Sequence, residues 1–333
     1  MGVSHLSDGP GTWSRRGVLA ALGAVPAAVL TGCGSRAAAA EAAPDATTAP
    51  AAPAASAAQF ATRTAADTFA GRFTPEAGST SGVGMPVSVT FTHAVTDRAA
   101  VERAITVTAD PQVEVVGHWF SDTRLDFRPE EYWAAGTEIT LALRLKGVEG
   151  VEGAAGVHGT QSEDVTFRIG REQISTVDLA AETMTVRRDG RTLATYPVSG
   201  GSAEHTTWSG IMVISERFTK TRMQSSTVGL GDAYDIDDVP HAQRLTTSGT
   251  FIHGNYWASP SVFGSGNTTH GCIGLRDAKG GDDTSQPGYA FYESSMLGDV
   301  VVVENSGADT VDPANGLGGW NLSWADWCAG SAL

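Results

Sequence analysis

The sequence is short of cysteine, of basic residues and of long apolar runs, and each shortage argues against a class of protein. Three cysteines in 333 residues are too few for the disulfide framework of a small secreted domain. The 37 acidic residues outnumber the 22 basic ones and give a formal charge of −15, which disfavours nucleic acid as a partner. The N-terminal apolar stretch, residues 17–30, falls short of the about 20 residues that a transmembrane helix needs.

The N-terminus has the parts of a bacterial export signal. A twin arginine precedes the apolar stretch at residues 17–30, and the sequence LTGC follows at residues 30–33. LTGC resembles the lipobox, in which the cysteine is acylated and becomes the mature N-terminus. We therefore expect residues 1–33 to be a lipoprotein signal peptide and the lipid on Cys33 to anchor the protein to the outer face of the cytoplasmic membrane. The twin-arginine and general secretory routes both stay open.

Composition divides the next part of the chain into a tether and a domain. Residues 34–64 are nearly all alanine, proline, threonine and serine, which bury too little apolar surface to order a chain. They predict a flexible tether, which suits a protein that reaches from a membrane into a polymer layer. Residues 65–170 alternate apolar and polar side chains at 86–92, 139–145 and 165–169. Several short alternating strands predict an immunoglobulin-like β-sandwich.

Residues 171–305 predict a second β-rich domain. Strand-forming residues flank the pair Asp189 and Gly190, and Asp-Gly favours a two-residue hairpin turn. The segment at residues 215–250 is long, polar and aperiodic, which is typical of an active-site lid. A Trp-rich tail follows at residues 306–333. The predicted fold class is therefore mainly β, with an immunoglobulin-like sandwich before a β-rich domain that carries a lid segment.

Two short motifs carry the chemistry. One places His253 before Gly254, and the other places His270 and Gly271 directly before Cys272. A free cysteine has a pKa of about 8.5, so near neutral pH it needs a neighbouring base to become a thiolate nucleophile. A histidine supplies such a base, and a strand–loop–strand arrangement brings the two together. The same two histidines and the cysteine are also zinc-ligand types, but no fourth ligand stands at a usual spacing.

The His-Gly pair and the Thr-His-Gly-Cys run closely resemble the signature of the L,D-transpeptidases, which cross-link bacterial peptidoglycan through a cysteine acyl-enzyme. The resemblance covers nearly all of the chain after residue 65, and it is strongest to the lipoprotein form with an N-terminal immunoglobulin-like domain found in high-GC Gram-positive bacteria. It implies a spacer domain at residues 65–170, a catalytic domain at 171–305 and a tail at 306–333 that packs on the domain junction.

The resemblance also assigns roles to residues. It makes Cys272 the nucleophile and His253 the general base, later the acid. It makes the Gly254 carbonyl the group that orients the imidazole and the Gly271 N–H an oxyanion donor, while His270 shapes the loop or tunes the thiolate. The substrate-binding residues that it implies are Met223, Tyr234, Tyr256, Trp257 and Thr269.

The implied activity is an acyl transfer in cell wall biogenesis. A tetrapeptide stem acylates Cys272 and releases D-Ala, and a neighbouring stem takes the acyl group to form a 3→3 cross-link. Peptidoglycan stems are then the partners, carbapenems are covalent inhibitors, and no cofactor or metal is required. L,D-carboxypeptidase or exchange activity through the same acyl-enzyme stays open, as does a catalytically silent wall-binding lipoprotein. One departure stands out, because Gly274 occupies a position where the family usually has asparagine.

Overall fold

The computed structural model describes residues 68–149, 158–229 and 231–333. The predicted signal peptide at residues 1–33, the predicted lipid site Cys33 and the predicted tether at residues 34–64 lie outside the described residues. Within the described part, no helix has both the length and the apolar character that crossing a bilayer requires.

The first described part of the chain is a sandwich of two four-stranded sheets. Its secondary structure consists of β1 (Thr68–Phe69), β2 (Gly71–Thr74), β3 (Thr80–Ser81), β4 (Val87–Phe91), α1 (Arg98–Arg103), β5 (Ile105–Asp110), β6 (Val116–Trp119), β7 (Arg124–Arg128), β8 (Glu138–Arg144), β9 (His158–Gly159) and β10 (Ser162–Ile169). One sheet has the order β2-β4-β7-β6 and the other β3-β10-β8-β5. Buried apolar residues from both sheets, including Val89 and Leu141, form one core.

Strand β8 shows why the sequence folds in this way. Its alternate residues Ile139, Leu141 and Leu143 are buried in the core, while the residues between them are less buried. Side chains of a strand point to opposite faces in turn, so this alternation buries one face against the facing sheet. The predicted strand at residues 139–145 is thus present, shifted by one residue at each end.

The second part is built on one nine-stranded sheet within the described residues. Its elements are β11 (Gln173–Asp178), β12 (Thr183–Arg188), β13 (Arg191–Ser199), β14 (Gly210–Val213), β15 (Glu216–Gln224), β16 (Asp235–Arg244), β17 (Phe251–Asn255), β18 (Ile273–Arg276), α2 (Pro287–Ser294), β19 (Val300–Glu304) and α3 (Trp324–Ala329). The strand order is β14-β19-β11-β12-β13-β18-β17-β16-β15. Short 3-10 helices span Ser225–Val228 and Gly318–Asn321.

The hairpin predicted at Asp-Gly is confirmed. Asp189 and Gly190 connect β12 to β13, and their φ angles are 48° and 74°. Positive φ at both central residues is the requirement of a type I′ turn, whose twist matches that of the flanking strands.

The polar segment at residues 215–250 is largely a β-hairpin, which the sequence did not predict. β15 and β16 pair in antiparallel register, with an irregularity between Thr221 and Met223. Most residues of β15 are exposed or half-buried, so the strand lacks the alternation that marks a half-buried sheet. This hairpin forms one edge of the sheet, beside the strand that carries His253.

The C-terminal tail joins the two parts. The Trp320 Nε1–H donates to the Gly84 carbonyl at 2.7 Å, and the Trp327 Nε1–H donates to the Val116 carbonyl at 2.9 Å. The buried guanidinium of Arg128 lies 4.7 Å from the Trp320 ring and 4.4 Å from the Trp327 ring. Cation–π contacts of a desolvated arginine are among the stronger ones, so this cluster ties the tail to the sandwich.

Candidate active site

His253 and Cys272 are brought together by a parallel strand pair. His253 is the central residue of β17, and Cys272 directly precedes β18. In the parallel register Ile252 pairs with Ile273 and His253 pairs with Gly274, so Cys272 enters its strand next to the histidine. Both side chains line one cavity of about 360 Å³. A strand–loop–strand arrangement thus places the two predicted catalytic residues in the same site.

The imidazole of His253 is buried and held on two sides. It is 4% exposed, and its Nδ1 donates to the Gly254 carbonyl at 3.0 Å. The Trp257 ring stacks on it, with ring centroids 5.5 Å apart and planes 12° apart. Burial lowers the pKa of His253, against the opposing effects of the Gly254 hydrogen bond and the charge of Asp277. With Nδ1 protonated, a neutral ring keeps Nε2 free to accept a proton.

Position 254 requires glycine because the Asp277 carboxylate packs directly against its Cα. A Cβ at this position would come within 2.2 Å of the Asp277 Oδ2, and Asp277 has a fully buried carboxylate. The same oxygen lies 2.7 Å from the Nδ1 of buried His241. The strand therefore presents His253 to the cavity and its glycine to a buried carboxylate–histidine pair.

The environment of the Cys272 thiol disfavours its thiolate form. The side chain is 9% exposed, and its Sγ donates to the Gly249 carbonyl at 3.6 Å. Among the described residues, no hydrogen bond joins this sulfur to the His253 ring. Burial raises the pKa of Cys272 to about 11, and the Phe251 backbone and the charge of Arg244 oppose it less. Burial therefore favours the neutral form of both the thiol and the imidazole.

The loop before Cys272 is organised by Thr269. Its Oγ1 accepts from the Gly271 N–H at 3.2 Å and donates to the Cys272 carbonyl at 2.6 Å. Gly271 has φ 108°, a backbone conformation that favours glycine. The role of the Gly271 N–H as an oxyanion donor stays a prediction; in this structure that N–H is bonded within the loop. Thr269 also lines the cavity, and both hydrogen bonds of its Oγ1 hold the loop before Cys272.

Four of the five predicted substrate-binding residues line the cavity with His253 and Cys272. They are Met223, Tyr234, Trp257 and Thr269. Burial raises the pKa of the Tyr234 hydroxyl, and the charge of Cys272 adds to this, so the hydroxyl keeps its proton as a donor. Trp257 is 43% exposed, so one part of its ring faces solvent while the ring stacks on His253.

Tyr256, which is predicted to bind substrate, does not line this cavity. It lines a separate groove together with Lys220, Asp238 and Lys279. Trp257 stacks on the His253 ring and lines the cavity, while its neighbour Tyr256 lines the other groove. The two rings meet edge to face instead, with centroids 5.0 Å apart.

His270 lies between two aromatic rings at the mouth of the site. Its ring stacks on His205 with centroids 4.9 Å apart, and it lies 5.2 Å from the Tyr234 ring. No sequence motif marks His205, because only the fold brings it next to His270. The sequence also does not assign a role to Asn255, because its place in the cavity becomes apparent only from the fold.

The alternative of a zinc site gains no support from the geometry. Within residues 68–149, 158–229 and 231–333, no three side chains of histidine, cysteine, aspartate or glutamate are grouped to hold a metal ion. His253, His270 and Cys272 share a cavity but do not form such a group.

Comparison with known proteins bears on this site directly. Residues 172–280 match the L,D-transpeptidase catalytic domain family, and residues 39–149 match a bacterial Ig domain family. L,D-transpeptidase 1 of Mycobacterium tuberculosis is 31% identical over 205 residues, which cover 60% of this chain and 74% of that protein. The chain belongs to the L,D-transpeptidase family. The predicted family is therefore confirmed.

Other members of the L,D-transpeptidase family align over more of this chain. L,D-transpeptidase 2 of Mycobacterium tuberculosis is 34% identical over 262 residues, or 78% of this chain. That alignment spans 61% of the relative, and the alignment with L,D-transpeptidase 5 spans 59% of it. This chain thus spans less than two thirds of the length of these two curated relatives.

Solved L,D-transpeptidase structures share the fold. The structure of LD transpeptidase LdtMt1 in complex with imipenem is 28% identical, has a TM-score of 0.57 and covers 71% of this chain and 99% of that one. L,D-transpeptidase 3 from Mycobacterium tuberculosis, in complex with a faropenem-derived adduct, is 25% identical with a TM-score of 0.55 and covers 70% and 97%. The predicted fold class, mainly β with an immunoglobulin-like domain before the catalytic domain, is confirmed.

Proposed function

We propose that this protein is a transferase that moves an acyl group between peptidoglycan stem peptides, with Cys272 as nucleophile and His253 as general base. The observation that carries this is the parallel pairing of β17 with β18, which puts a buried, oriented imidazole and a thiol into one cavity. The Gly254 carbonyl does for His253 what an aspartate or asparagine side chain does in other hydrolases.

In the acylation step, His253 Nε2 takes the proton of the Cys272 thiol as sulfur attacks the carbonyl of the third residue of a tetrapeptide stem. Burial disfavours both charged partners, which favours a proton transfer concerted with attack over a preformed thiolate. The Cys272 N–H and the protonated Tyr234 hydroxyl stabilise the oxyanion. The imidazolium then gives its proton to the leaving amine, D-Ala departs, and a thioester remains.

In the second step, the side-chain amine of a neighbouring stem attacks the thioester. His253 accepts the proton that the amine loses and returns a proton to the sulfur, which restores the neutral pair. The products are a new amide, the 3→3 cross-link, and the free enzyme. Water in place of the amine would give a tripeptide, and a free D-amino acid would give exchange, because the three outcomes differ only in the acceptor.

Incubation with a disaccharide-tetrapeptide tests the proposal. Mass spectrometry should show an acyl-enzyme on Cys272, release of D-Ala and a dimer joined between two third residues. A tripeptide product without dimer would make the protein a carboxypeptidase instead. Absence of any acyl-enzyme, with folded protein, would leave the silent wall-binding lipoprotein as the better description.

We further propose that the protein is exported and anchored by a lipid on Cys33, at the outer face of the cytoplasmic membrane. The LTGC sequence at residues 30–33 supports this. Cys33→Ala should shift the protein from the membrane to the soluble fraction or block its processing. Fractionation and electrophoretic mobility measure both effects. A variant that fractionates and migrates like wild type would contradict the anchor.

A further inference from the structure

The side chain of Asn255 lies in the cavity beside the proposed catalytic pair. Asn255 is the last residue of β17, two positions after His253, so both side chains leave the strand on the same face. Both line the cavity that contains Cys272. Asn255 is only 4% exposed, so its amide is almost entirely removed from bulk water.

The two ends of this amide differ in their partners. Its Oδ1 accepts a hydrogen bond from the Ala258 N–H at 3.1 Å. No group among the described residues accepts a hydrogen bond from its Nδ2, although an amide nitrogen has two hydrogens to donate. The Nδ2 faces the cavity and keeps some accessible surface there, so water or a ligand in the cavity can accept its hydrogen bonds.

Gly274, on the neighbouring strand, leaves the room that this amide occupies. A Cβ at position 274 would lie 3.1 Å from the Asn255 Nδ2 and 3.3 Å from the Asn255 Cβ. Both distances are tighter than ordinary van der Waals contact, so a side chain there would push the amide by a few tenths of an ångström. The cavity of this chain thus receives its amide from β17 rather than from β18.

We propose that Asn255 is a substrate-binding residue whose Nδ2 donates to a peptide carbonyl oxygen of the acyl donor, and that Gly274 keeps the space for it. This contact rests on the proposed function, because it lies in the same site. Peptide stems carry carbonyl oxygens along their length, and a few well-placed polar groups are what orient a ligand in a cavity. The bond from Ala258 fixes the amide before substrate arrives, so the donor is preorganised.

The Asn255 side chain also has a structural role, which the test must distinguish from substrate binding. Its Oδ1 bond closes the turn that carries Trp257, and the Trp257 ring stacks on His253. An alanine at position 255 would lose the donor and loosen this turn together. Asn255→Ser keeps an oxygen that can accept from the Ala258 N–H, adds no charge and removes the amide donor.

Two reagents distinguish substrate binding from positioning. A disaccharide-tetrapeptide reports recognition of the acyl donor, whereas iodoacetamide alkylates Cys272 without peptide contacts. For Asn255→Ser we expect KM for the disaccharide-tetrapeptide to rise about ten- to a hundredfold, as for one lost hydrogen bond to bound ligand. A contact made equally in ground and transition states changes KM rather than kcat. The pH profile of alkylation should keep its wild-type position.

Gly274→Ala tests the same contact from the neighbouring strand. In the wild-type background its Cβ crowds the Asn255 amide and should raise KM in the same direction, by less than Asn255→Ser does. In the Asn255→Ser background, where the shorter side chain leaves room, it should raise KM little further. Such non-additivity is the signature of two residues that act through one contact.

Two results would overturn the assignment. In the first, the disaccharide-tetrapeptide acylates the wild type, and Asn255→Ser has an unchanged KM. This result would reject the Asn255 contact and leave the proposed function intact. The other is an Asn255→Ser variant whose alkylation profile shifts as much as its peptide acylation falls, which makes Asn255 a positioning residue only. A wild type that no peptide acylates would reject the proposed function and this contact together.

Discussion

Cys272→Ala is expected to form no acyl-enzyme with either a disaccharide-tetrapeptide or a carbapenem, because the variant has no group that can attack a carbonyl. Cys272→Ser should lose nearly all acylation, since a hydroxyl is far less acidic than a thiol and a pair suited to sulfur does not activate it. Intact-protein mass spectrometry measures both. Cys328→Ala, which removes the other free cysteine of the described residues, is the matched control and should acylate like wild type.

His253→Ala separates the base from the thiol through the pH dependence of acylation. Loss of a general base costs about 10²–10⁴-fold near neutral pH. Without the imidazole, acylation depends on the thiolate, and burial raises the pKa of the Cys272 thiol to about 11. The rate should therefore keep rising about tenfold per pH unit up to that value, whereas an unburied thiol would level off near about 8.5.

His270→Ala is the matched histidine variant for this measurement. Its ring contacts His205 and Tyr234 at the mouth of the site, so its loss should disturb the loop and cost less than the loss of His253. If His253→Ala acylated at the wild-type rate near neutral pH while folded His270→Ala did not acylate, the base would be His270 and the two roles would be exchanged.

Trp327→Ala should lower the free energy of unfolding by about 3–5 kcal/mol, as large-to-small changes of buried aromatic residues do. Trp327 is 0% exposed, stacks on His118 with centroids 4.8 Å apart and donates to the Val116 carbonyl. Its loss also takes one ring from the guanidinium of Arg128, which is itself buried. Chemical denaturation followed by circular dichroism measures the change.

Trp324→Ala is the control on the same helix. Trp324 is half-buried and lies farther from the Arg128 guanidinium, at 5.5 Å, so its truncation should cost much less than that of Trp327. Equal and small losses for the two variants would mean that the tail contributes little to the stability of the sandwich.

Local patterns predicted those elements whose cause is local. β8 follows from an alternation that buries every second side chain, and the turn at Asp189 and Gly190 follows from residues that tolerate positive φ. Both signals lie within a few residues of the structure that they determine. The same is true of the two motifs that carry His253 and Cys272, whose spacing fits a strand, a loop and a second strand.

The elements and roles that the sequence missed depend on contacts between distant segments. The residues of β15 are all exposed or half-buried, so its sequence does not alternate apolar and polar residues. The sequence therefore did not predict its pairing with β16. The Gly271 N–H donates to the Thr269 side chain, and the motif alone does not indicate this bond. The place of Asn255 depends on the missing side chain of Gly274, which only strand pairing brings near it.

The parallel pairing of β17 with β18 separates the geometry of the reactive pair from the lining of the cavity. A parallel pair needs a crossover between its strands, and here residues 256–272 make it. The pairing register fixes the distance between base and nucleophile, while the crossover supplies cavity-lining residues such as Val262 and Thr268. The middle of the crossover, residues 259–268, can therefore change and alter the substrate preference while His253, Trp257 and Cys272 stay in place.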